Sequence, residues 1–293
     1  MQDRYAADIG DFFKLALLRV LQPGRTLGLA WWLFPDERHN DDGRHVAYLQ
    51  QRGKWRALDP ELFDGLTLIV ASGNRRVSAL QDAGFLPNAL FYDSVIPTGD
   101  NPAIRRANRE AWFEKLRNDL SRCDLVFLDP DNGFETASFS LGAVAAGKCV
   151  SLAQLSELSR PGRSLIVYHH QTRRKGGHIE ELKYWAERLR EAGFVTVDAI
   201  RSRPFSARAF FLLNASPDLR ERANLFATRW CKWLSWHPDS LLSATNSAID
   251  RMTDPGIFIA GDVVIYDGEA KTTGTPALTK APKGLPPIPW DDA

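Results

Sequence analysis

The sequence lacks the features that mark membrane, secreted and zinc-binding proteins. It contains no run of about 18 apolar residues, and its N-terminal segment carries Asp3 and Asp8 where a signal peptide would be basic and apolar. Cys123, Cys149 and Cys231 are too widely spaced for a disulfide framework or a zinc site. We therefore expect no membrane partner and a reducing, cytoplasmic location.

The chain also lacks an excess of charge of either sign. It has 37 basic and 36 acidic residues among 293, and 44% of its residues are hydrophobic. This balance gives no evidence for a surface that binds nucleic acid through its net charge, although local basic patches are compatible with it. The composition is that of an ordinary globular protein and carries no information on the oligomeric state.

Short apolar segments alternate with helical patterns over the first 215 residues. Helices between short strands imply a parallel sheet covered on both faces. Residues 194–200 and 209–213 are separated only by a turn, so these two strands are expected to pair antiparallel. We therefore predict a Rossmann-like α/β fold, with a mostly parallel sheet and a C-terminal antiparallel hairpin. The other strands are predicted at 28–34, 66–71, 89–92, 125–128 and 164–168, and the helices at 9–21, 74–83, 103–120 and 179–192.

The character of the chain changes after Ala215. Residues 218–236 show a helical pattern with an aromatic stripe. The last residues combine Thr, Gly and Lys with five prolines, a composition typical of a flexible tail. The predicted segments are a Rossmann-like domain at 1–215, a helical extension with a short strand at 216–267, and a flexible tail at 268–293.

The most informative segment is Asp-Pro-Asp-Asn-Gly at residues 129–133, directly after the apolar run 125–128. In open α/β sheets, ligands bind outside the carboxyl ends of the strands. Two carboxylates and an amide at one strand end therefore predict a site of chemistry. The simpler alternative is a turn in which Asp129 and Asn132 cap the next segment. The candidate residues of this segment are Asp129, Pro130, Asp131, Asn132, Phe134 and Glu135.

A second polar pattern lies at the start of the first predicted helix. Asp8, Asp11 and Lys14 are spaced by three residues, which places them along one side of that helix. Acids in a first turn also suit the helix dipole, and this is the simpler explanation. The neighbouring residues are mostly apolar, so we expect Asp11 and Lys14 to be partly buried. Buried charges need a partner or a ligand.

The predicted strand 164–168 leads into His169 and His170, and the following loop carries Arg173 and Arg174. Adjacent residues on a strand face opposite ways, so only one of the histidines can face a given cleft. Cations followed by glycines at a strand-to-helix loop could bind phosphate, or form a solvated loop. The polar stretch after the first strand has no Gly-x-Gly loop, but its Asp41 could hold ribose hydroxyls.

Two of these segments carry a resemblance. They are similar to a bacterial family with Tyr-x-x-Asp-Ile-Gly-Asp-x-x-Lys and Phe-Leu-Asp-Pro-Asp-Asn-Gly motifs. More distantly they resemble class I S-adenosylmethionine (SAM)-dependent methyltransferases of the ribosomal RNA adenine-N6 type. In those enzymes an opening segment with Asp and Lys contacts SAM, and an Asp-Pro-Pro-Tyr motif follows later. Asp11 and Lys14 match the first motif and Asp129 and Pro130 match the second, whereas Asp131 and Asn132 depart from it.

The resemblance implies methyl transfer from SAM to an amine, possibly carried by nucleic acid. It implies that Asp129 and Asn132 orient the acceptor amine, with Pro130 and Asp131 beside them in the catalytic segment. The cofactor residues would be Asp8, Asp11, Lys14 and Asp41, and the substrate contacts Phe134, Glu135, His169, His170, Arg173 and Arg174.

Two alternatives stay open. The carboxylates around Asp129 could hold Mg or Mn in a metal-dependent nuclease or phosphohydrolase, because hard cations prefer oxygen ligands. The chain could also be a non-catalytic Rossmann-like binding protein. This last alternative predicts that a ligand binds without turnover.

Overall fold

The computed structural model describes residues 1–37, 43, 45–99, 101–172 and 174–243, together with the backbone of 257–260 and 263–266. It divides into two compact units, Met1–Ala248 and Ile249–Ala293. Two predicted site residues, Asp41 and Arg173, lie outside the described residues, and so does the predicted tail at 268–293.

The first unit is a mixed α/β structure. Its helices are α1 Ile9–Leu21, α2 Arg52–Trp55, α3 Pro60–Ala71, α4 Val77–Asp82, α5 Pro102–Asp119, α6 Leu152–Leu158, α7 Gly177–Glu191, α8 Pro217–Arg229 and α9 Asp239–Leu242. Its strands are β1 Leu27–Ala30, β2 Leu90–Tyr92, β3 Leu125–Leu128, β4 Gly133–Phe134, β5 Cys149–Val150, β6 Ser164–His170, β7 Val197–Ser202, β8 Arg208–Leu213 and β9 Leu234–His237. In the second unit, β10 Ile257–Ala260 pairs antiparallel with β11 Val263–Tyr266.

Seven strands form one sheet in the order β2-β1-β3-β6-β8-β7-β9. Strands β2, β1, β3 and β6 are parallel to one another. Strand β8 is antiparallel to both of its neighbours, β6 and β7, and β9 is antiparallel to β7. Strand β7 therefore runs in the same direction as β2, β1, β3 and β6. The predicted Rossmann-like fold, a mostly parallel sheet closed by an antiparallel hairpin, is confirmed.

Helices cover both faces of this sheet, as the apolar strands predict. Helices α1, α3 and α8 pack on one face, where Phe127 and Phe210 point. Helices α5, α6 and α7 pack on the other face, where Val126 and Phe211 point. Both faces of the central strands are buried, and this explains their nearly continuous apolar sequence.

Helix α1 has the bounds that its sequence predicts. The Asp8 carboxylate accepts a hydrogen bond from the Asp11 N–H at 3.0 Å, and this cap fixes the start of the helix. Pro23 and Gly24 follow its last turn, and Gly24 adopts a positive φ of 78°. The start of α1 lies at the edge of the sheet where the candidate site forms.

The prediction of a strand at 66–71 is wrong, because these residues form the second half of α3. Asp59 caps this helix by accepting from the Leu62 N–H at 3.1 Å, and Pro60 occupies its first turn. Leu66 and Ile69 are buried while Leu68 is 71% exposed, a helical spacing. A short apolar run alone does not distinguish a buried strand from a helix.

Residues 216–243 belong to the first unit. The predicted helix at 218–236 ends at Arg229, and β9 follows it to form the edge of the sheet beside β7. Helix α8 packs against the same face of the sheet as α1. In the described part of the chain, no helix combines the length and apolar character needed to cross a membrane.

Candidate functional site

The candidate site lies where the strand order reverses, between β1 and β3. The chain passes from β1 to β2 on one side, and from β3 to β6 on the other. Crevices at such points bind ligands in open α/β sheets. Asp129 follows β3 at this edge, and its N–H donates to the Ala30 carbonyl at the end of β1 at 3.0 Å. The sheet itself therefore fixes the position of Asp129.

The two polar patterns of the sequence meet at this edge. Lys14 Nζ lies 2.5 Å from Asp129 Oδ2 and 2.7 Å from Asp11 Oδ1. None of the three residues is more than 3% exposed. The expectation that Asp11 and Lys14 are buried and need a partner is therefore met, and Asp129 is that partner.

Burial and charge act against each other in this cluster. Burial raises the pKa of the Asp129 carboxyl, and it raises the pKa of the Asp11 carboxyl in the same way. Burial also lowers the pKa of Lys14, but the charges and hydrogen bonds of the two carboxylates outweigh it, so this pKa is raised. Lys14 therefore carries its proton at neutral pH, and two carboxylates share one ammonium group.

Asp131 faces the same crevice with partners of its own. The Met1 amine lies 2.5 Å from Asp131 Oδ1, and it also donates to the carbonyl oxygens of Asp129 at 2.9 Å and Trp32 at 3.2 Å. The Gln2 amide donates to Asp131 Oδ2 at 2.6 Å. Asp131, one of the two residues that depart from the Asp-Pro-Pro-Tyr motif, is therefore held by Met1 and Gln2.

A cavity of about 150 Å³ opens beside these charges. This volume holds a small ionic group or a few water molecules, each of about 30 Å³. It is below the roughly 300–1,000 Å³ of sites for drug-sized ligands. The predicted site residues that line it are Asp8, Asp11, Lys14, Asp129, Asp131 and His170.

The adjacent histidines face opposite ways, as predicted. His170 lines the cavity, where its Nδ1 lies 3.3 Å from the Tyr168 hydroxyl. His169 is buried on the other face of the sheet, and its Nδ1 accepts the Phe134 N–H at 3.3 Å. Its Nε2 lies 3.2 Å from Glu181, and burial lowers its pKa. His169 therefore has a structural position, and only His170 lies at the site.

The residues that follow Asp131 turn away from the cavity. Phe134 is buried, with its ring centroid 5.0 Å from that of His169 and 4.7 Å from that of Trp185. Asn132 is exposed and Glu135 is half-buried. The described residues that line the cavity do not include Asn132, Phe134 or Glu135. The structure thus places Asp129 and Asp131 at the site and separates the rest of the motif from it.

Three arginines outside the cavity contact their own chain. The Arg174 guanidinium lies 3.5 Å from the centre of the Tyr184 ring. Arg105 donates to the Gly142 carbonyl at 2.7 Å, and Arg109 donates to the carbonyls of Pro97 and Leu141 at 2.9 and 2.8 Å. Arg105 and Arg109 therefore bind their own chain, and their position does not indicate a phosphate-binding surface.

Arg208 is the residue that the sequence patterns did not reveal. It begins β8, lines the cavity and is 2% exposed. Its Nη2 donates to Ser206 Oγ at 2.5 Å, whereas Nε and Nη1 have no hydrogen-bond partner in the part of the chain that the structure describes. Arg208 reaches the cavity because β8 pairs with β6, where Arg208 lies opposite His170, a pairing that the sequence patterns do not predict.

The carboxylates of the site do not fit a resident Mg or Mn ion. Asp11 and Asp129 both face Lys14, and Asp131 faces the Met1 amine. Over the described ranges, no three His, Cys, Asp or Glu side chains are grouped so as to hold a metal. A cation would have to displace the ammonium groups that already neutralise these acids.

The chain matches no protein-family model and no curated protein. The geometry of the cavity and the resemblance of its two motifs are therefore the basis for a functional assignment.

Proposed function

We propose that this protein transfers a methyl group from SAM to an amine. The observation that carries the proposal is the contact of Lys14 with both Asp11 and Asp129 at the switch point of the sheet. In the enzymes that the motifs resemble, the opening segment lies on the cofactor and the Asp-Pro segment on the acceptor. Their convergence in one cavity is the arrangement that this activity requires.

The charges of the cavity are compatible with the cationic parts of SAM. Asp8 and Asp11 line it and would lie near the ammonium and sulfonium groups, which carboxylates stabilise. The cavity of about 150 Å³ matches the amino-acid end of this cofactor rather than the whole molecule. When bound, SAM supplies an electrophilic methyl group on its sulfonium.

Asp129 would orient the acceptor. Its Oδ2 is held by Lys14, and within the described residues no hydrogen bond is formed to Oδ1. Oδ1 can therefore accept an N–H of the amine and direct its lone pair toward the methyl group, so that positioning supplies most of the catalysis. Because burial raises the pKa of Asp129, its carboxylate is also a better acceptor for the proton that the amine releases.

Calorimetry with SAM and with S-adenosylhomocysteine tests cofactor binding, and transfer of a labelled methyl group to amine acceptors, nucleic acid among them, tests turnover. We expect Asp129→Asn to abolish transfer while the protein still binds S-adenosylhomocysteine. The matched control is Asp119→Asn, an exposed carboxylate on α5. Absence of binding to both compounds would contradict the proposal, and binding without transfer would favour the non-catalytic alternative.

A further inference from the structure

Arg208 is a buried cation that the proposed reaction does not use. It is 2% exposed, yet Nε and Nη1 have no acceptor among the described residues. Leaving a charged donor buried without a partner costs more than leaving a neutral one, so guanidinium groups are normally paired when buried. The unused donors indicate a partner that is not one of the described residues.

The other cationic groups of the cavity already form ion pairs with carboxylates. Lys14 lies between Asp11 and Asp129, and the Met1 amine lies on Asp131. Arg208 takes part in no ion pair within the described ranges, since none of their carboxylates approaches its guanidinium nitrogens within 4.0 Å. An anionic group that enters the cavity would therefore be drawn to Arg208 rather than to Lys14.

The first turn of α1 lies against the same guanidinium. A Cβ added at Gly10 would be 2.9 Å from Arg208 Nη1, so the missing side chain lets the guanidinium approach the helix. Helix α1 has 13 residues, and the N-terminus of a helix favours anions through its N–H groups and its dipole. Asp8 already caps this N-terminus by accepting the Asp11 N–H, so the free donors for a further negative group come from Arg208.

We propose that Arg208 and Ser206, which lie beside the first turn of α1, form a binding site for a carboxylate group of a small ligand. The guanidinium supplies two free donors, and the cavity of about 150 Å³ admits a group of this size. A carboxylate fits better than a phosphate, because Asp8, which lines the same cavity, repels a second negative charge.

Tyr168 adds a neutral donor to this site. It lines the cavity, and burial raises the pKa of its hydroxyl to about 12. The hydroxyl therefore keeps its proton at neutral pH and can donate to an anion. An amino acid such as glycine would bind through its carboxylate at Arg208, with its ammonium group toward the acids.

The test is a titration of the full chain with acetate, glycine and inorganic phosphate, each compared with sodium chloride at the same ionic strength. The ¹⁵N–¹H signal of Arg208 Nε reports occupancy, and Arg208→Met assigns the signal. We expect saturable shifts with acetate and glycine, and binding of phosphate weaker by about tenfold because of the nearby acids. Tighter binding of phosphate than of acetate would overturn the carboxylate assignment.

Variants separate a binding role from a structural one. Calorimetry should show acetate binding at least about tenfold weaker in Arg208→Met, since charge-assisted hydrogen bonds are lost. The Tm of the ligand-free variant should equal or exceed that of the wild type, because an unpaired buried charge is removed. Arg174→Met, which removes a guanidinium outside the cavity, is the control and should bind acetate normally.

Gly10→Ala provides a second variant that keeps Arg208. Its new Cβ would lie 2.9 Å from Arg208 Nη1 and 2.9 Å from Asp8 Oδ1, so acetate binding should weaken, and circular dichroism checks that α1 is retained. Unchanged acetate binding in Arg208→Met, or a lower Tm of that variant without ligand, would overturn the inference. The probes contain no part of SAM other than a carboxylate or an amino acid, so a failure of SAM binding would be distinguishable from a failure here.

Discussion

Lys14 Nζ and Asp129 Oδ2 lie 2.5 Å apart, although 115 residues separate them in the chain. The pair joins the first helix to the end of the central strand β3, and Asp11 completes it from the same helix. Three charges that are almost fully buried lie at the point of the fold where a ligand is expected. They are stable only as a set, because each would be costly alone.

A double-mutant cycle measures this dependence. Lys14→Met leaves two buried carboxylates without their cation and should lower the free energy of unfolding by about 3–5 kcal/mol. Asp129→Asn should lower the free energy of unfolding by a smaller amount. The double variant should be more stable than the sum of the two single effects predicts. Urea denaturation gives the values. The exposed pair Lys115 and Asp119, only 2.7 Å apart, is the control and should show no measurable coupling.

Gly133 holds the turn after Asp131 in a conformation that only glycine adopts readily. Its φ is 90°, and an added Cβ would lie 2.3 Å from His169 Nδ1 and 2.6 Å from the His169 Cα. Gly133→Ala should therefore lower the free energy of unfolding by about 3 kcal/mol or more, through strain and overlap together. Denaturation curves measure this loss.

Gly73→Ala is the matched control for that substitution. Gly73 has a similar φ of 72°, but a Cβ there meets nothing within 4 Å. Gly73→Ala should therefore lower the free energy of unfolding only through conformational strain, by roughly 1 kcal/mol. Equal losses in the two variants would show that the contact with His169 has no energetic weight.

The fold could be predicted where local chemistry and tertiary packing agree. Asp8 caps α1, and the apolar run 125–128 forms β3. The prediction failed where packing decides between alternatives. Residues 66–71 are apolar enough for a strand, but the Asp59 cap starts a helix that includes them. Residues 234–236 continue a helical pattern, but pairing with β7 makes them part of a strand.

The site could be predicted in part for the same reason. Charges among apolar neighbours imply burial, so Asp11 and Lys14 were recognisable, and the strand end identified Asp129. Phe134 lies beside His169, on the face of the sheet opposite the cavity. A shift of one residue along an extended segment moves a side chain to the other face, so the sequence alone does not predict which face Phe134 occupies. The sequence does not predict Arg208 as a site residue, because this cation at the start of β8 reaches the cavity only when β8 pairs with β6.

The pair Asp198 and Arg220 tests the attachment of α8 to the sheet. Asp198 is fully buried, and Arg220 donates to its two oxygens at 2.7 and 2.8 Å. Arg220→Met should lower the free energy of unfolding by about 2 kcal/mol or more, because the carboxylate loses its cation. Arg229→Met, an exposed position on the same helix, is the control. Similar stability of the two variants would argue against a structural role for the pair.

His237 predicts how stability changes with pH. Burial, together with the charges of Arg201 and Arg203, lowers its pKa from 6.5 to about 4. The unfolded chain therefore binds more protons than the folded chain between these values, so stability should fall as pH decreases from 6.5 toward 4. A difference of two to three pKa units corresponds to roughly 3 kcal/mol.

His237→Gln isolates this contribution from that of the other buried histidine, His169, whose lowered pKa acts in the same direction. The glutamine does not titrate, and it can retain a hydrogen bond to Ser235 Oγ, which lies 3.0 Å from His237 Nε2. Urea denaturation at pH 7 and pH 5 should show a smaller loss of stability in the variant than in the wild type. An identical loss in both proteins would mean that the charge on His237 is tolerated in the folded state, and that the arginines beside it do not suppress its protonation.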